Sequence, residues 1–500
     1  MPYSIGIDIG TTNVKCVLFK EGCVVAAETS KEYKTLLTQP LWVQQDPNDW
    51  WNGVVESIQV LLAKSWIDPE DIKVMAISCQ APTVLPVDKK GRPLHDALIW
   101  MDRRSKEECE LIKEKIGSKR VFEITGNRLD TYFCLTELMW FIRNHPEIME
   151  KCYKILQING YVNYKLTGEF SIDESHVSIT QMYDIHNKCW SEELLNAIGA
   201  DVSIMPPVYA CYDPIGTVSK KAAEATGLSK STVVLAGTVD VAASALETGV
   251  FEGGKAAEMA GTSSVVIIDY DKLIIGGDLS YLKGICENSR LLFGPMNTAG
   301  GSLKWFRDAL YGGETEKKDA YIRMNKEIEK KAKNPSKLIF LPYMAGERAP
   351  IWDLDARGAF IGLNLNTNRA EMMRSIMEGT CFALRDNLEQ AYKLGVSVHD
   401  LICCGGCTNS EIWLKIKASV IKKEIKLPEV NLGAPGGLAY MMAAYMGEYA
   451  SAEEASKCCL RIKRTIEPVQ EWIKIYDEMY HIYKDSYLAL SSQFKALSKL

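Results

Sequence analysis

Short stretches with hydrophobic residues at every second position recur along the chain, separated by longer amphipathic ones. Residues 3–9 put Ile5, Ile7 and Ile9 on one face, the period of a half-buried strand. Residues 14–19 form a second short run, and Gly10-Thr11-Thr12-Asn13 between them is a turn sequence. Together they predict a β-hairpin. Residues 72–79, 232–236, 264–268, 337–341 and 400–404 are further strand candidates. Helical signals lie between them. Asn368 followed by Glu371 is a capping-box pattern. The stretch it opens carries Met373, Met377, Leu384 and Leu388 near one face and stops at Gly395. From about residue 451 the chain is mostly polar with scattered aromatic and aliphatic positions, which predicts terminal helices on the surface. This alternation predicts an α/β architecture.

The hairpin has an echo. Asp8-Ile9-Gly10-Thr11-Thr12-Asn13 is matched half a chain later by Met259-Ala260-Gly261-Thr262-Ser263-Ser264. Each Gly-Thr turn sits between strand-like runs. A duplicated unit implies two related domains, 1–250 and 251–500, with the boundary near Glu247 to Lys255. A chance recurrence of a common turn sequence fits the same residues. A chain of 500 residues is long enough for two or more domains.

Composition narrows the partners. The 58 basic and 64 acidic side chains leave a net charge of −6, so there is no broad basic field for nucleic acid. No apolar run reaches membrane-spanning length, and residues 1–6 carry no secretory pattern, so a cytoplasmic location is expected. Fifteen scattered cysteines then predict reduced thiols. Cys403, Cys404 and Cys407 include a C-x-x-C, but no second Cys or His pair completes a zinc site, so they are expected to be ordinary buried or turn thiols.

The usual nucleotide signatures are missing: no P-loop, no dinucleotide glycine fingerprint and no protein-kinase loop occur. In their place stand four glycine-and-hydroxyl turns after strand-like runs. In the first, Gly10, Thr11, Thr12 and Asn13 offer backbone N–H groups and hydroxyls to phosphate oxygens, and Lys15 adds positive charge. Asp8 can hold Mg²⁺ through water. A plain hairpin turn fits these residues too. The second turn, Gly237 to Asp240, puts Asp240 in the first turn of a predicted helix, where a carboxylate can cap the helix or serve as a general base in a cleft. The third and fourth, around Gly300-Gly301 and Gly405-Gly406, lead from strand to helix, a suitable seat for a nucleotide.

These residues resemble the FGGY carbohydrate kinases, the group of xylulokinase, gluconokinase and glycerol kinase. The resemblance spans about residues 3–447. Gly6-x-Asp8-x-Gly10-Thr11-Thr12 resembles the first phosphate motif of that family, and Gln45-Asp46-Pro47 its E-Q-D-P stretch with Gln44 in place of Glu. Trp100-x-Asp102-x-Arg104 resembles its W-x-D-x-R element, and Leu166 to Phe170 with Asp173 the segment leading to the second half. Gly346-Glu347-Arg348-Ala349-Pro350, then residues 357–363 and 371–378, resemble its long C-terminal signature.

The resemblance implies two ribonuclease-H-like domains of the actin and hexokinase ATPase type around a central cleft. The sugar would lie mainly on the N-terminal side, and ATP with Mg²⁺ on the C-terminal side. Carried over by position, Asp240 is the general base, and Asp8 and Asp240 line the Mg²⁺ region. Thr11, Thr12 and Lys15 approach the terminal phosphates. Gly261, Thr262, Gly300 and Gly301 cradle phosphates from the other side, and Gly405, Gly406 and Asn409 border the adenosine. Gln80, Ala81, Pro82, Asp102 and Asp240 face the sugar. Members often pair as homodimers.

Departures from the xylulokinase pattern fall mainly on the sugar side. Gln80-Ala81-Pro82-Thr83 stands for Gln-Met-His-Gly, Val241 follows the aspartate where Asn is usual, and Ile351 follows Glu347-Arg348-Ala349-Pro350. Glu137 replaces a Lys. A pentulose such as D-xylulose is the first expectation for the acceptor, with gluconate, a polyol or an unusual ketose as alternatives. A non-kinase actin-like ATPase is the reading from a different class.

Overall fold

The computed structural model describes residues 2–270, 278–311 and 319–499. Two mixed sheets dominate. The first contains β1 (Tyr3–Ile9), β2 (Asn13–Lys20), β3 (Val24–Glu32), β4 (Ile72–Cys79), β5 (Pro214–Thr217) and β6 (Val233–Leu235), in the spatial order β3-β2-β1-β4-β6-β5. The second contains β7 (Lys255–Ala260), β8 (Ser264–Asp269), β9 (Ser280–Lys283), β10 (Arg290–Met296), β11 (Asp400–Gly405), β12 (Ile425–Pro428) and β13 (Ile462–Ile466), in the order β9-β10-β8-β7-β11-β12-β13.

The two orders share one plan. β1 pairs antiparallel with β2 and parallel with β4, as β7 does with β8 and β11. A second parallel neighbour and an antiparallel edge follow in each: β6 and β5 in one sheet, β12 and β13 in the other. The echo of the Gly10 and Gly261 turns is therefore an echo of whole sheets. In both turns the glycine N–H donates forward along the chain, Gly10 N–H to Asn13 O three residues on at 2.9 Å and Gly261 N–H to Ser263 O two residues on at 2.8 Å.

Helices cover the outer faces. Trp50, Val54, Ile58 and Leu61 of the helix Pro47–Ser65 pack on Ile5, Ile7, Ile9 and Val14, all fully buried. On the second sheet, Leu384 and Leu388 of the helix Arg369–Lys393 pack on Val266, Ile268 and Leu401. That helix has the capping box at Asn368 and Glu371, and Gly395 lies just past its end with φ 78°. Between the sheets run two helices, α1 (Asp240–Glu247) and α2 (Ala434–Tyr445). They share one apolar cluster with Val17, Phe19 and Val74 of the first sheet and Ala257, Ile267 and Phe293 of the second.

α1 and α2 touch backbone to backbone. A Cβ added at Gly437 would stand 1.9 Å from the Ala243 carbonyl oxygen. Overpacking of this kind costs about 3 kcal/mol. Gly437→Ala is therefore expected to lower the thermal midpoint clearly, and a scanning-calorimetry trace that matches the parent would refute this contact.

The end of the chain differs from its expectation. Two helices do form, Ala452–Cys459 and Gln470–Leu497, but β13 lies between them as an edge strand. Four of its five residues are exposed, so no alternation marks it in the sequence. No helix among the described residues is long and apolar enough to cross a membrane.

Candidate functional site

Parallel strands bring the site together at their C-terminal ends. Asp8 of β1 lies opposite Ser78 of β4, and Thr238 of the short strand Thr238–Val239 lies opposite the same Ser78. Asp240 follows two residues later and opens α1. The two carboxylates thus lie at the ends of strands that flank β4 on either side. Ser78 Oγ donates to Asp8 Oδ1 at 2.8 Å, and Val241 N–H to Asp240 Oδ1 at 2.7 Å.

Burial pushes Asp240 up to about 7, and the neighbouring charge of Asp8 adds to the rise. Burial likewise pushes Asp8 up to about 6, opposed by the Ser78 bond and by Lys15. Two carboxylates raised by burial, one of them also by the charge of the other, fit a hard cation with oxygen ligands. No cluster of three or more metal-ligating side chains occurs among the described residues, so a Mg²⁺ ion held here keeps most of its water.

Strand Thr238–Val239 is braced from behind. Val239 N–H donates to Ser175 Oγ at 2.9 Å, and Ser175 Oγ lies 3.0 Å from Thr238 Oγ1. Asp173, next to Ser175, also pairs with His176 at 2.5 Å. His176 in turn lies 3.1 Å from Cys79 Sγ. This Cys-His-Asp arrangement is fully buried, and burial holds the thiol protonated. It positions the strand that ends in Asp240.

The first glycine turn is tied to the sugar side by side-chain amides. Thr11 Oγ1 and Trp100 Nε1 donate to Gln80 Oε1 at 2.8 and 3.0 Å, and Gln80 Nε2 donates to Gln45 Oε1 at 2.9 Å. Gln45 Nε2 donates to the Thr11 carbonyl at 2.8 Å. The Gln80 amide is thereby occupied inside the protein. Asn13 donates to Ser30 Oγ at 2.9 Å, and Lys15, across from Asp8 on β2, reaches Glu28 at 3.4 Å.

Asp102 stands apart from the others. It is fully buried, and its carboxylate accepts from Val43 N–H at 2.6 Å and from the Arg104 guanidinium at 2.8–3.0 Å. It shapes the Trp100–Arg104 turn and offers no open oxygen of the kind expected for sugar contact. Ala81 and Pro82 are buried, with the Tyr132 hydroxyl donating to the Ala81 carbonyl at 3.2 Å.

On the other side, the turns at Gly261-Thr262 and Gly300-Gly301 are zipped together. The N–H groups of Ala299, Gly300 and Gly301 donate to Thr262 O, Gly261 O and Thr262 O at 2.9–3.0 Å. A Cβ at Gly300 would stand 2.6 Å from the Gly261 carbonyl oxygen, so this approach needs glycine. The turns open onto a cavity of about 440 Å³. Gly261, Thr262, Gly300, Gly406 and Asn409 line it, with Tyr321, Ile322 and Trp413 as apolar walls. Gly405 ends β11 beside it. The volume and lining suit a purine nucleoside carrying phosphates. Cys403, Cys404 and Cys407 are buried, and only Cys407 touches this cavity. Its Sγ accepts from Lys417 Nζ at 3.3 Å, and Lys417 is itself paired with Glu258.

Four residues absent from the expected set, Trp100, Arg103, Tyr132 and Arg348, converge between the halves. The Arg348 guanidinium lies 4.9 Å over the Trp100 ring and 6.0 Å from Tyr132, and Arg103 lies 5.6 Å from Tyr132 on the same ring. Glu347 holds Arg348 in place. It accepts from Asn297 N–H at 2.6 Å and from Arg348 N–H at 2.8 Å, while Arg348 Nε donates to Asn297 Oδ1 at 2.7 Å. Sequence spacing carries no sign that residues near 100, 132 and 348 meet. The one available hint was the aromatic and basic content of their motifs.

A model of the N-terminal domain of the FGGY family of carbohydrate kinases matches residues 3–247, and one of the C-terminal domain matches residues 256–446. The chain belongs to this family. It is a phosphotransferase of the carbohydrate-kinase type, and the family implies ATP as its substrate. Over 490 residues it is 30% identical to the xylulose kinase of Bacillus subtilis, covering 97% of both chains. The fold matches solved structures of a xylulose kinase and a gluconate kinase from Lactobacillus acidophilus, each at TM-score 0.92 and 23% identity over 99% of this chain and 99–100% of theirs. The fold of this FGGY kinase is thus the two-domain α/β architecture of the actin and hexokinase ATPases.

Proposed function

We propose that this FGGY kinase transfers the γ-phosphoryl group of ATP to a hydroxyl of a pentulose such as D-xylulose, with Asp240 as general base. The Asp8–Asp240 pair at the strand ends carries this reading. Asp240 Oδ2 takes no bond from the described residues, and its charge acts on Tyr132, which lies with Trp100 and Arg348 on the sugar side.

The acceptor stacks its carbon skeleton on Trp100 and meets the Arg348 fork from the second half. Asp240 accepts the hydroxyl proton as the oxygen attacks phosphorus. The turns at Gly10–Asn13 and Gly261–Thr262 present to the phosphates the N–H groups of Thr11, Thr12 and Thr262, which the turns do not use themselves, while Gly300 and Gly301 hold the Gly261 turn in place and Lys15 adds charge. Asp8 and Asp240 would hold Mg²⁺, which would neutralise charge on the phosphate oxygens. The two halves, divided near residue 250, close over the pair and exclude water, which competes as a nucleophile. Fifteen free cysteines accord with a cytoplasmic, reducing setting.

A second reading has a specific observation behind it. Arg103 and Arg348 are buried beside the acceptor position, and neither forms an ion pair with a described carboxylate. Two such guanidinium groups suit an aldonate such as gluconate. The test is ADP release from Mg·ATP across ketoses, aldoses, polyols and aldonates, with Asp240→Ala alongside. One compound that stimulates turnover at least tenfold, with the signal lost in the variant, supports the proposal and chooses between the readings. Stimulation that survives in Asp240→Ala refutes the base.

Arg348→Ala is expected to raise the KM for that acceptor about tenfold and to leave the KM for ATP unchanged. A change in the KM for ATP instead would place Arg348 on the nucleotide side.

A further inference from the structure

We propose that Asn325 reads the base of the nucleotide, donating from its side-chain amide to a ring nitrogen of the purine and leaving the 6-amino group unread. The inference rests on the cavity of about 440 Å³ being the nucleotide seat, and not on the choice of acceptor.

Tyr321, Ile322 and Asn325 come from the helix Ala320–Lys331, and all three line that cavity. One turn of helix separates Tyr321 from Asn325, so they share a face. The glycine turns at Gly261 and Gly300 line the same cavity and suit the phosphates, which leaves the apolar walls for the base. Two of those walls are open: Tyr321 is 41% exposed and Ile322 53%. Tyr321 is also held in place. The Arg307 guanidinium lies 5.0 Å over its ring, and Arg307 Nη1 donates to its hydroxyl at 3.1 Å. A fixed, partly open ring beside an aliphatic side chain is a stacking platform for a purine.

The orientation of the Asn325 amide is set by Ser410. As the N-cap of the helix Glu411–Ile421, Ser410 Oγ takes the Trp413 N–H at 3.3 Å. Its own proton goes to Asn325 Oδ1, at 2.9 Å. The amide oxygen therefore faces Ser410, and the nitrogen faces away from it. No described residue accepts from that nitrogen. Its two N–H groups are left for the cavity that the side chain lines.

A group with its oxygen committed and its nitrogen free can only donate. It cannot accept from the 6-amino group of adenine, but it can donate to N1, N3 or N7, each of which is an acceptor in that base. Recognition then rests on a ring nitrogen, and a base that lacks this acceptor leaves the amide unpaired against the wall.

The test titrates Mg·ADP into the full chain by calorimetry, which needs no acceptor, beside the 1-deaza, 3-deaza and 7-deaza analogues of ADP. Each analogue has one ring nitrogen replaced by C–H. One of them is expected to bind the parent about fivefold more weakly than ADP, the cost of a neutral hydrogen bond. Asn325→Ala should bind ADP about fivefold more weakly than the parent does, and should bind that analogue as well as it binds ADP. Asn325 is half-buried on a helix flank, and a thermal midpoint within about 2 °C of the parent checks that the variant is folded. The analogues tested on the parent need no variant, and three that bind like ADP overturn the proposal. So does an Asn325→Ala chain that binds ADP as the parent does, or one that discriminates against the analogue as strongly as the parent. Ile322→Ala separates the seat from its reader. It should weaken ADP and all three analogues alike, by about threefold, through lost apolar contact. If it changes none of them, the base lies elsewhere and both the seat and the proposal fail. If it weakens all four while Asn325→Ala weakens none, the seat stands and the reading by Asn325 is refuted.

Discussion

Asp240→Asn is expected to lower kcat by about a thousandfold, with the KM for ATP within about threefold of the parent. Asn keeps the size of the side chain and the bond from Val241 N–H but cannot accept a proton. The loss therefore falls on the chemical step. A variant that retains more than a tenth of the parent kcat would mean that the acceptor hydroxyl loses its proton elsewhere.

The same substitution reads out the energetic cost of the site. Asp240 is held at about 7 in the folded chain, against 3.8 when free. A carboxyl raised on folding contributes fully below pH 3.8, and that contribution is lost as the pH rises through 7. At pH 8 the folded chain therefore carries an unfavourable charge beside Asp8. For a half-buried group this amounts to about 1–2 kcal/mol once solvent screening is allowed for. Asp240→Asn should melt higher than the parent at pH 8, by about 1–2 °C, with the gap narrowing toward pH 4. An inactive variant that is also more stable marks a residue kept for function.

The sheets were legible in the sequence because residues 3–9 put isoleucine at every second position and residues 72–79 are rich in β-branched side chains. Residues 3–9 and 72–79 match β1 and β4, and the Gly10 and Gly261 turns proved to be equivalent points of two sheets with one plan. β13 escaped because an exposed edge strand has no buried face to impose a period. The motif that identifies the family most strongly is largely structural. Glu371 completes a helix cap, and Glu378 is buried among Arg374, Ser336 and Tyr476. Such residues tolerate few substitutes because a buried charge needs every partner.

The sugar side was the least legible part for the opposite reason. Trp100, Tyr132 and Arg348 come from three distant segments and meet only when the halves pack. Asp102 shows the converse error that a motif invites. A carboxylate two residues from Trp100 looks available, yet Arg104 and Val43 take up its oxygens. Burial and partner count, which decide whether a polar group is free to bind, are properties of the fold and not of the motif.

The pH dependence of turnover supplies the second large effect. Activity should rise with pH along an acid limb with an apparent pKa about 7, because Asp240 must be ionised to accept the proton. Asp8 contributes to that value through its charge. Asp8→Asn removes the charge, so the limb should move to lower pH, by about one unit. It should not fall to 3.8, because burial is the larger cause of the rise and remains. Turnover at the plateau should also drop about a hundredfold, since one of the two carboxylates near the phosphates is lost. The two effects separate the roles of the pair. A plateau loss without a moved limb would mean that Asp8 serves the phosphates but that the titrating group is not its neighbour Asp240. A moved limb with an intact plateau would mean that the phosphates are neutralised without Asp8, by Lys15 and the glycine turns alone.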